Sequence, residues 1–283
     1  MDPLLELGRL LAALVAGVLG SMVGLGGGVF IVPIFSVFLG VPLKAAIAAS
    51  AVSVIVNSLS GASVYLRDHV TNVRLGLLLE MSTVIGAIAG GLLAVIMTPT
   101  LLQAVFAVLL AVMSLAMLRR PGKAEHDEVT SASHHLGLSA TYVDPALGQP
   151  VSYTPRRVGL GMAAGSVAGV VSGLLGIGGG AIKVPVMNLV MRVPVKAASA
   201  TSVFMVGITV VASAVIYYVN DLIDPSVVVP ATVGVLLGAQ IGSRLARRVT
   251  SAVIVRILVV VLLYLAVTLL LEALGIDVPG AES

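Results

Sequence analysis

Two runs of three glycines carry the backbone best suited to hold a ligand. They are Gly26, Gly27 and Gly28 in the first run, and Gly178, Gly179 and Gly180 in the second. A helix that begins at the end of such a run presents N–H groups without intrahelical partners and the positive end of its dipole. Such a helix end binds anions, and glycine allows close approach because it has no Cβ. The runs therefore predict an anion site, with tight helix packing as the alternative interpretation.

Lys183 is the charged residue closest to either run, three positions after Gly180. The corresponding residue after the first run is Ile31. An ammonium within an apolar segment is costly, so it is usually paired, functional or extended toward the interface. A small anion would be a suitable partner for this point charge. The alternative is that the side chain reaches the membrane surface.

Polar side chains follow each run along one face of an apolar segment. After the first run they are Ser50, Ser53, Asn57 and Ser60, spaced i, i+3, i+7 and i+10. After the second run they are Ser199, Ser202, Thr209 and Ser213, with Asn188 and Thr201 nearby. Such stripes predict a path for a partly hydrated anion, with hydrogen bonding between helices as the alternative. The expected polar contacts of the anion are Ser50, Asn57, Asn188, Thr201 and Ser202.

Glu80 lies about two turns into its apolar segment and is the candidate for taking up a proton in a coupled mechanism. Pairing with Arg74 or extension to the interface is the alternative. Cysteine is absent, and all four histidines lie in polar segments. We therefore expect no metal site and no cofactor. Serine, histidine and acidic residues do not cluster on the apolar segments as hydrolysis would require, so we expect no enzyme.

The composition places the chain in a membrane. Apolar residues make up 58% of the sequence and charged residues 10%, where a soluble protein has about 25% charged residues. The mean hydropathy is +1.13, so most of the apolar surface is expected to face a lipid bilayer. The net charge of +3 gives no basic patch for nucleic acid. The sequence predicts a multi-pass protein of the inner membrane and leaves its oligomeric state open.

Six segments each have the roughly 20 apolar residues that cross a bilayer. They are residues 45–66, 75–97, 101–118, 197–219, 227–243 and 252–271. Two further apolar stretches, 4–39 and 158–191, are too long for one helix and are interrupted by the glycine runs. Residues 119–157 are polar, with mixed charge, and are predicted to be a solvated linker or mobile loop.

The chain is an internal duplication. A shift of 152 residues aligns the two halves without a gap, with 16 identities in the 35 positions between residues 16–50 and 168–202. The identities include the triple glycines, two prolines and a lysine, which biased composition would not align. The expected domains are a first repeat (1–118), the linker (119–157), a second repeat (158–272) and a C-terminal tail (273–283).

Loop charges predict that the two repeats have opposite orientations. Arg67 and Arg74 flank one loop of the first repeat, whereas its counterpart contains Asp221 and Asp224 and no basic residue. Basic residues collect in cytoplasmic loops, so opposite charge in equivalent loops indicates an inverted repeat. The basic residues at both ends of the linker place it in the cytoplasm. This orientation places Lys44 outside the cytoplasm, which does not fit the rule that basic residues lie in cytoplasmic loops.

Inversion with three spanning helices per repeat requires each glycine-interrupted stretch to be a hairpin. Its returning arm, residues 29–39 or 181–191, has 11 residues, which covers roughly 16 Å or half of the hydrocarbon core. The two glycine turns would then meet near the midplane. Alternatively, the first arms are full spans and the glycines lie in ordinary loops. The predicted fold class is an all-α polytopic membrane protein of two inverted repeats, each a re-entrant-like hairpin plus three transmembrane helices.

The two motifs resemble a known family. Residues 24–33 and 176–185 share the doubled glycine–proline signature, and each copy is followed by a Val-Pro-x-Lys-Ala segment. This pattern is similar to that of the sulfite/sulfonate exporter TauE/SafE family. The resemblance covers nearly all of the chain except the linker. It implies membrane transport of small sulfur-containing anions such as sulfite, thiosulfate, sulfoacetate or other sulfonates.

Three functions are compatible with the sequence. The favoured one is a secondary transporter that moves a small anion by alternating access at a midplane site. A passive anion channel could use the same site without coupled rocking of the repeats. A membrane scaffold without flux is the third, although a scaffold does not need two interrupted helices.

Overall fold

The computed structural model describes residues 3–23, 27–118, 137–143, 149–246 and 251–276. The first repeat contains α1 (Pro3–Val23), α2 (Gly28–Pro33), α3 (Leu43–Arg67), α4 (Val73–Ile96) and α5 (Pro99–Leu118). Strands β1 (Ala140–Val143) and β2 (Pro150–Tyr153) follow. The second repeat contains α6 (Val158–Leu175), α7 (Gly180–Pro185), α8 (Val195–Val219), α9 (Pro225–Ala246) and α10 (Ser251–Ala273). The predicted multi-pass helical fold is confirmed, with five helices that meet the length and hydropathy required to cross a membrane within the described residues.

The two short helices continue as π-helices. Residues Ile34–Phe38 extend α2, and Val186–Val190 extend α7, so each short arm has 11 residues in total. Pro33 and Pro185 end the α-helical part. Because proline has no N–H group, it cannot make the α-helical bond to the carbonyl four residues earlier, and the wider helix begins there.

Each short arm folds back along the long helix that precedes it. A Cβ at Gly179, before α7, would lie 2.9 Å from the carbonyl oxygen of Ala168, within α6. At the other end of the arm, Arg156 N donates to Met191 O at 2.9 Å, next to the start of α6. The second glycine-interrupted stretch is thus a hairpin whose two ends lie together. A Cβ at Gly27 would likewise approach Ala16 O, at 3.6 Å, in the first repeat.

The long arm of each hairpin packs on a helix of the other repeat. Helix α1 packs on α9, and its equivalent α6 packs on α4. Glycines make these contacts close, since a Cβ at Gly90 would lie 2.1 Å from Val170 O and one at Gly238 would lie 2.1 Å from Leu14 O. Small residues allow helix backbones to approach in this way. The repeats are therefore interlocked rather than placed side by side.

Helices α5 and α10, which are equivalent by the 152-residue shift, run antiparallel. Gln103 Nε2, near the start of α5, donates to Glu272 Oε2, near the end of α10, at 3.0 Å. Ser114 Oγ, further along α5, donates to Val259 O, nearer the start of α10, at 3.3 Å. Because later residues of α5 contact earlier residues of α10, the two equivalent helices point in opposite directions.

A β-hairpin lies in the segment that the sequence predicts to be a solvated linker. Strands β1 and β2 pair antiparallel with Ala140 opposite Tyr153. Leu138 and Tyr142 are buried in a cluster with Leu79, Met187 and other residues of the helical bundle. Apolar residues alternate along 138–142, which is the pattern of a half-buried strand. In its described part the linker is thus packed on one end of the bundle.

The close contact between α4 and α6 gives a test of the fold. Gly90→Ala should destabilise the protein by about 1–3 kcal/mol, because the new methyl group must push α6 away from α4. Gly8→Ala is the matched control, since a Cβ at Gly8 meets no atom within 4 Å. Thermal unfolding of the purified protein in detergent measures both variants. Equal stability of the two would contradict a close contact between α4 and α6 at Gly90.

Candidate functional site

The two glycine turns meet beside Ser50 of α3. Its buried hydroxyl lies 2.9 Å from Gly176 O and 3.3 Å from Gly28 O. A Cβ at Gly28 would lie 3.2 Å from Gly176 O and 2.7 Å from Ser50 Oγ. The backbones of the two repeats therefore come into contact inside the bundle, where a side chain at Gly28 would separate them.

Both turns use backbone that favours glycine. The φ angles of Gly27, Gly178 and Gly179 are 82°, 81° and 67°, in the left-handed region that other residues rarely adopt. The first intrahelical bonds of the short arms run from Phe30 and Ile31 to Gly27 O, and from Ile182 and Lys183 to Gly179 O. The N–H groups of Gly28 and Gly180 precede these bonds, as at any helix start. Gly26, a predicted contact, lies outside the described residues.

Ser202 of α8 occupies the position equivalent to Ser50. A Cβ at Gly180 would lie 3.3 Å from Ser202 Oγ, and Ser202 is buried. The pair Gly180 and Ser202 thus repeats the contact between Gly28 and Ser50. The structure brings these predicted residues together around the two turns.

Lys183 is buried and forms an ion pair. Its Nζ lies 3.5 Å from Glu80 Oε2, and the two side chains are 2% and 5% exposed. Lys183 also donates to the hydroxyl of Thr209, which donates to Glu80 Oε1. The three residues come from the short arm, from α8 and from α4. The Lys183 side chain therefore does not extend to the membrane surface.

The ion pair has no charged counterpart in the other repeat. The positions equivalent to Lys183, Thr209 and Glu80 are Ile31, Asn57 and Thr232. Thr232 Oγ1 lies 3.3 Å from Ser53 Oγ, and Asn57 is half-buried. A backbone related by the duplication therefore holds a charged site on one side and a neutral polar site on the other.

Two predicted contacts lie toward the hairpin end of the bundle. Thr201 Oγ1 accepts a bond from Asn72 N at 3.0 Å, and Asn188 Nδ2 donates to Val193 O at 2.9 Å. Asn72 also donates through Nδ2 to Leu138 O and accepts from Leu75 N. Thr201 and Asn188 thus make hydrogen bonds to loop backbone near the β-hairpin. The structure does not bring them to the glycine turns.

Sequence reasoning missed the partners of the charged site. Arg74, which was one alternative partner for Glu80, is exposed and donates to Gly137 O at 3.3 Å. Thr209 belongs to the predicted polar stripe, seven residues after Ser202, but nothing in the sequence placed it between two charges. Asn72 could have been found as a cap, because it precedes α4 and accepts from Leu75 N.

A buried ion pair between an interrupted helix and a spanning helix is an arrangement found in membrane transporters. The family model described as "Sulfite exporter TauE/SafE" matches residues 9–269. The chain therefore belongs to this family and is a multi-pass inner-membrane transporter. This confirms the resemblance noted in its motifs.

Two curated relatives carry consistent names. "Probable membrane transporter protein YunE" from Bacillus subtilis is 29% identical over 218 residues, which cover 75% of this chain and 77% of the relative. A protein from Methanocaldococcus jannaschii, also named a probable membrane transporter protein, is 24% identical over 219 residues, or 74% and 70% of the two chains. No solved structure matches the chain.

The ion pair predicts a specific pattern of stability. Lys183→Met should lower stability by about 3–5 kcal/mol, because it leaves Glu80 buried without a counter-charge. The double variant Lys183→Met/Glu80→Gln should recover most of that loss, since no buried charge remains. Thermal unfolding in detergent measures the set. An equal loss in the single and double variants would show that the two charges do not depend on each other.

Proposed function

We propose that the protein is a secondary transporter of small inorganic-sulfur and organosulfur anions, such as sulfite, thiosulfate, sulfoacetate or other sulfonates. The observation that carries the proposal is the buried Lys183, held beside a glycine turn on an interrupted helix. A charge in this environment is costly and is retained where it binds an ion or a substrate. The description of the family as sulfite exporters supports a sulfur anion as that substrate.

The anion would bind between the glycine turns and Lys183. Backbone N–H groups of the two runs would act as donors and the ammonium would supply the charge, as at other helix starts that bind anions. Ser50 and Ser202 contact the turns directly and are the polar contacts that the geometry favours. Asn57 borders the neutral counterpart of the site. Asn188 and Thr201 would act further along the path, near the hairpin.

Alternating access would come from a relative movement of two inverted repeats. The antiparallel course of the equivalent helices α5 and α10 supports opposite orientations of the repeats in the membrane. A site between such repeats can be exposed to each side in turn by a small rotation. The glycine-lined contacts α1–α9 and α4–α6 join the two repeats, so the repeats would slide against each other along these contacts. The hairpin packed on one end of the bundle would lie on the cytoplasmic side with the rest of the linker.

Anion flux in proteoliposomes tests the function. Wild-type protein should show saturable uptake and counterflow of sulfite, thiosulfate or sulfoacetate, whereas acetate should not compete. Lys183→Met should reduce uptake at least about tenfold through the loss of the binding charge. The double variant Lys183→Met/Glu80→Gln should be equally inactive although it keeps its stability.

The matched control is Lys196→Met, at an exposed lysine on the first turn of α8, which should transport like the wild type. Flux without saturation or counterflow would favour a channel. Absence of flux for every anion, in protein that unfolds cooperatively, would favour a scaffold.

The orientation of the repeats can be tested with introduced cysteines, since the sequence has none. Asp68 and Asn220 are exposed and occupy equivalent positions. In inverted repeats, Asp68→Cys should react with a membrane-impermeant maleimide only from the cytoplasm, and Asn220→Cys only from outside. Labelling of both from the same side would reject the inverted arrangement.

A further inference from the structure

We infer that Glu80 binds the proton that drives transport. Its ionised carboxylate competes with the transported anion for Lys183, whereas protonated Glu80 leaves Lys183 to the anion, so that one proton accompanies each anion. This rests on the proposed function, because it requires an anion to bind at Lys183. It adds a coupling ion and the group that binds it. The observation behind it is that the ammonium already has an internal anion as its partner.

The pair is neutral as a whole and shielded from solvent. Glu80 and Lys183 are 4% and 3% exposed. Glu80 Oε1 accepts from Thr209, whereas Oε2 is buried, faces the ammonium at 3.5 Å and accepts no hydrogen bond. One carboxylate oxygen thus interacts with the cation by charge alone. An incoming sulfonate or sulfite oxygen could take that place and form the hydrogen bond that is missing.

Charge balance then links the two ligands. If an anion entered while Glu80 was ionised, the buried site would hold net negative charge, which is strongly unfavourable at low dielectric. If Glu80 takes up a proton first, the site has a net charge of +1, and an anion that binds with a single negative charge compensates it. The proton and the anion therefore favour each other's binding, and linkage makes the effect mutual.

No other carboxylate lies on the described elements packed around the pair. These elements are α3, α4, α6, the short arm of α7, α8 and the β-hairpin. Their remaining ionisable residues, with the arginines next to α6 and the short arm, are Lys44, Tyr65, Arg67, Arg74, Tyr142, Tyr153, Arg156, Arg157, Arg192, Lys196, Tyr217 and Tyr218. The basic residues have no negative form, and a phenol ionises only well above neutral pH, so none of these residues can replace Glu80 as an acid that becomes negative near neutral pH. Tyr217 is also occupied, since its hydroxyl donates to Gly173 O.

The asymmetry of the duplication sets the stoichiometry. The position equivalent to Glu80 is Thr232 and that equivalent to Lys183 is Ile31, so the described part of the other repeat has no second charged pair. One site then binds one proton. Thr209 is a positioning residue, because it joins Nζ of Lys183 to Oε1 of Glu80 without titrating itself.

The test separates exchange from proton-driven uptake in proteoliposomes. Methanesulfonate and ethanesulfonate are the probes, because each carries a single negative charge that does not change between about pH 6 and about pH 8. Wild-type protein should accumulate the probe when the outside is acidic. The apparent KM should fall by up to about tenfold for each pH unit of acidification, as expected for one linked proton. A pH-sensitive dye should record one proton taken up per anion.

Glu80→Gln mimics the protonated residue. It should keep counterflow of the probe, lose accumulation driven by the pH gradient, and bind with a KM that is constant over the same pH range. The matched control is Glu272→Gln, at a half-buried carboxylate bonded to Gln103 on α10, which should behave like the wild type. If Glu80→Gln does not fold, Glu80→Asp replaces it, and it should keep coupling with a displaced pH profile.

Each outcome decides between the two proposals. Counterflow by the wild type without proton uptake and without pH dependence overturns the inference and leaves the transporter proposal intact. Proton coupling that survives in folded Glu80→Gln also overturns it, because another group must then bind the proton. Absence of counterflow with every probe rejects the proposed function itself.

Discussion

The cost of holding an ammonium in an apolar interior is the constraint on which the site depends. Lys183 can be buried only because α4 supplies a carboxylate and α8 supplies a hydroxyl within reach. Water does not provide the compensating charge there, so the protein must provide it. The positions of three separate elements are therefore linked to one ion pair, and any movement that separates them must bring in a replacement charge. A transported anion is such a replacement.

Glycine packing makes this arrangement possible. Helix α4 approaches α6 so closely that a Cβ at Gly86, Gly90, Gly169 or Gly173 would collide with the opposing backbone. This contact brings Glu80 of the first repeat to the short arm of the second. The equivalent contact between α1 and α9 does the same for Thr232, where no charge is present. The same backbone arrangement thus occurs twice, once with the charged pair of Glu80 and Lys183 and once with neutral residues at the equivalent positions.

The end of the bundle near the linker is closed by the β-hairpin. Leu138 and Tyr142 cover the α3–α4 turn and the end of the second short arm, and Asn72 ties the hairpin to α4 and α8. Apolar side chains and hydrogen bonds to the backbone therefore fill this end of the bundle. Because the hairpin contacts both repeats, a movement of one repeat against the other has to rearrange it.

The sequence by itself determined the local elements and the duplication. Apolar runs of about 20 residues predicted the helix boundaries within a few residues, and the apolar run that follows each glycine run predicted a short arm of 11 residues. These depend on hydropathy and backbone preference, which are properties of neighbouring residues. Lys183 stood out for the same reason. The tertiary structure alone decided that Glu80 is the internal partner of Lys183, that Arg74 turns away to Gly137, and that residues 140–143 and 150–153 pair as a hairpin. Those outcomes depend on contacts between residues far apart in the chain, which local pattern does not encode.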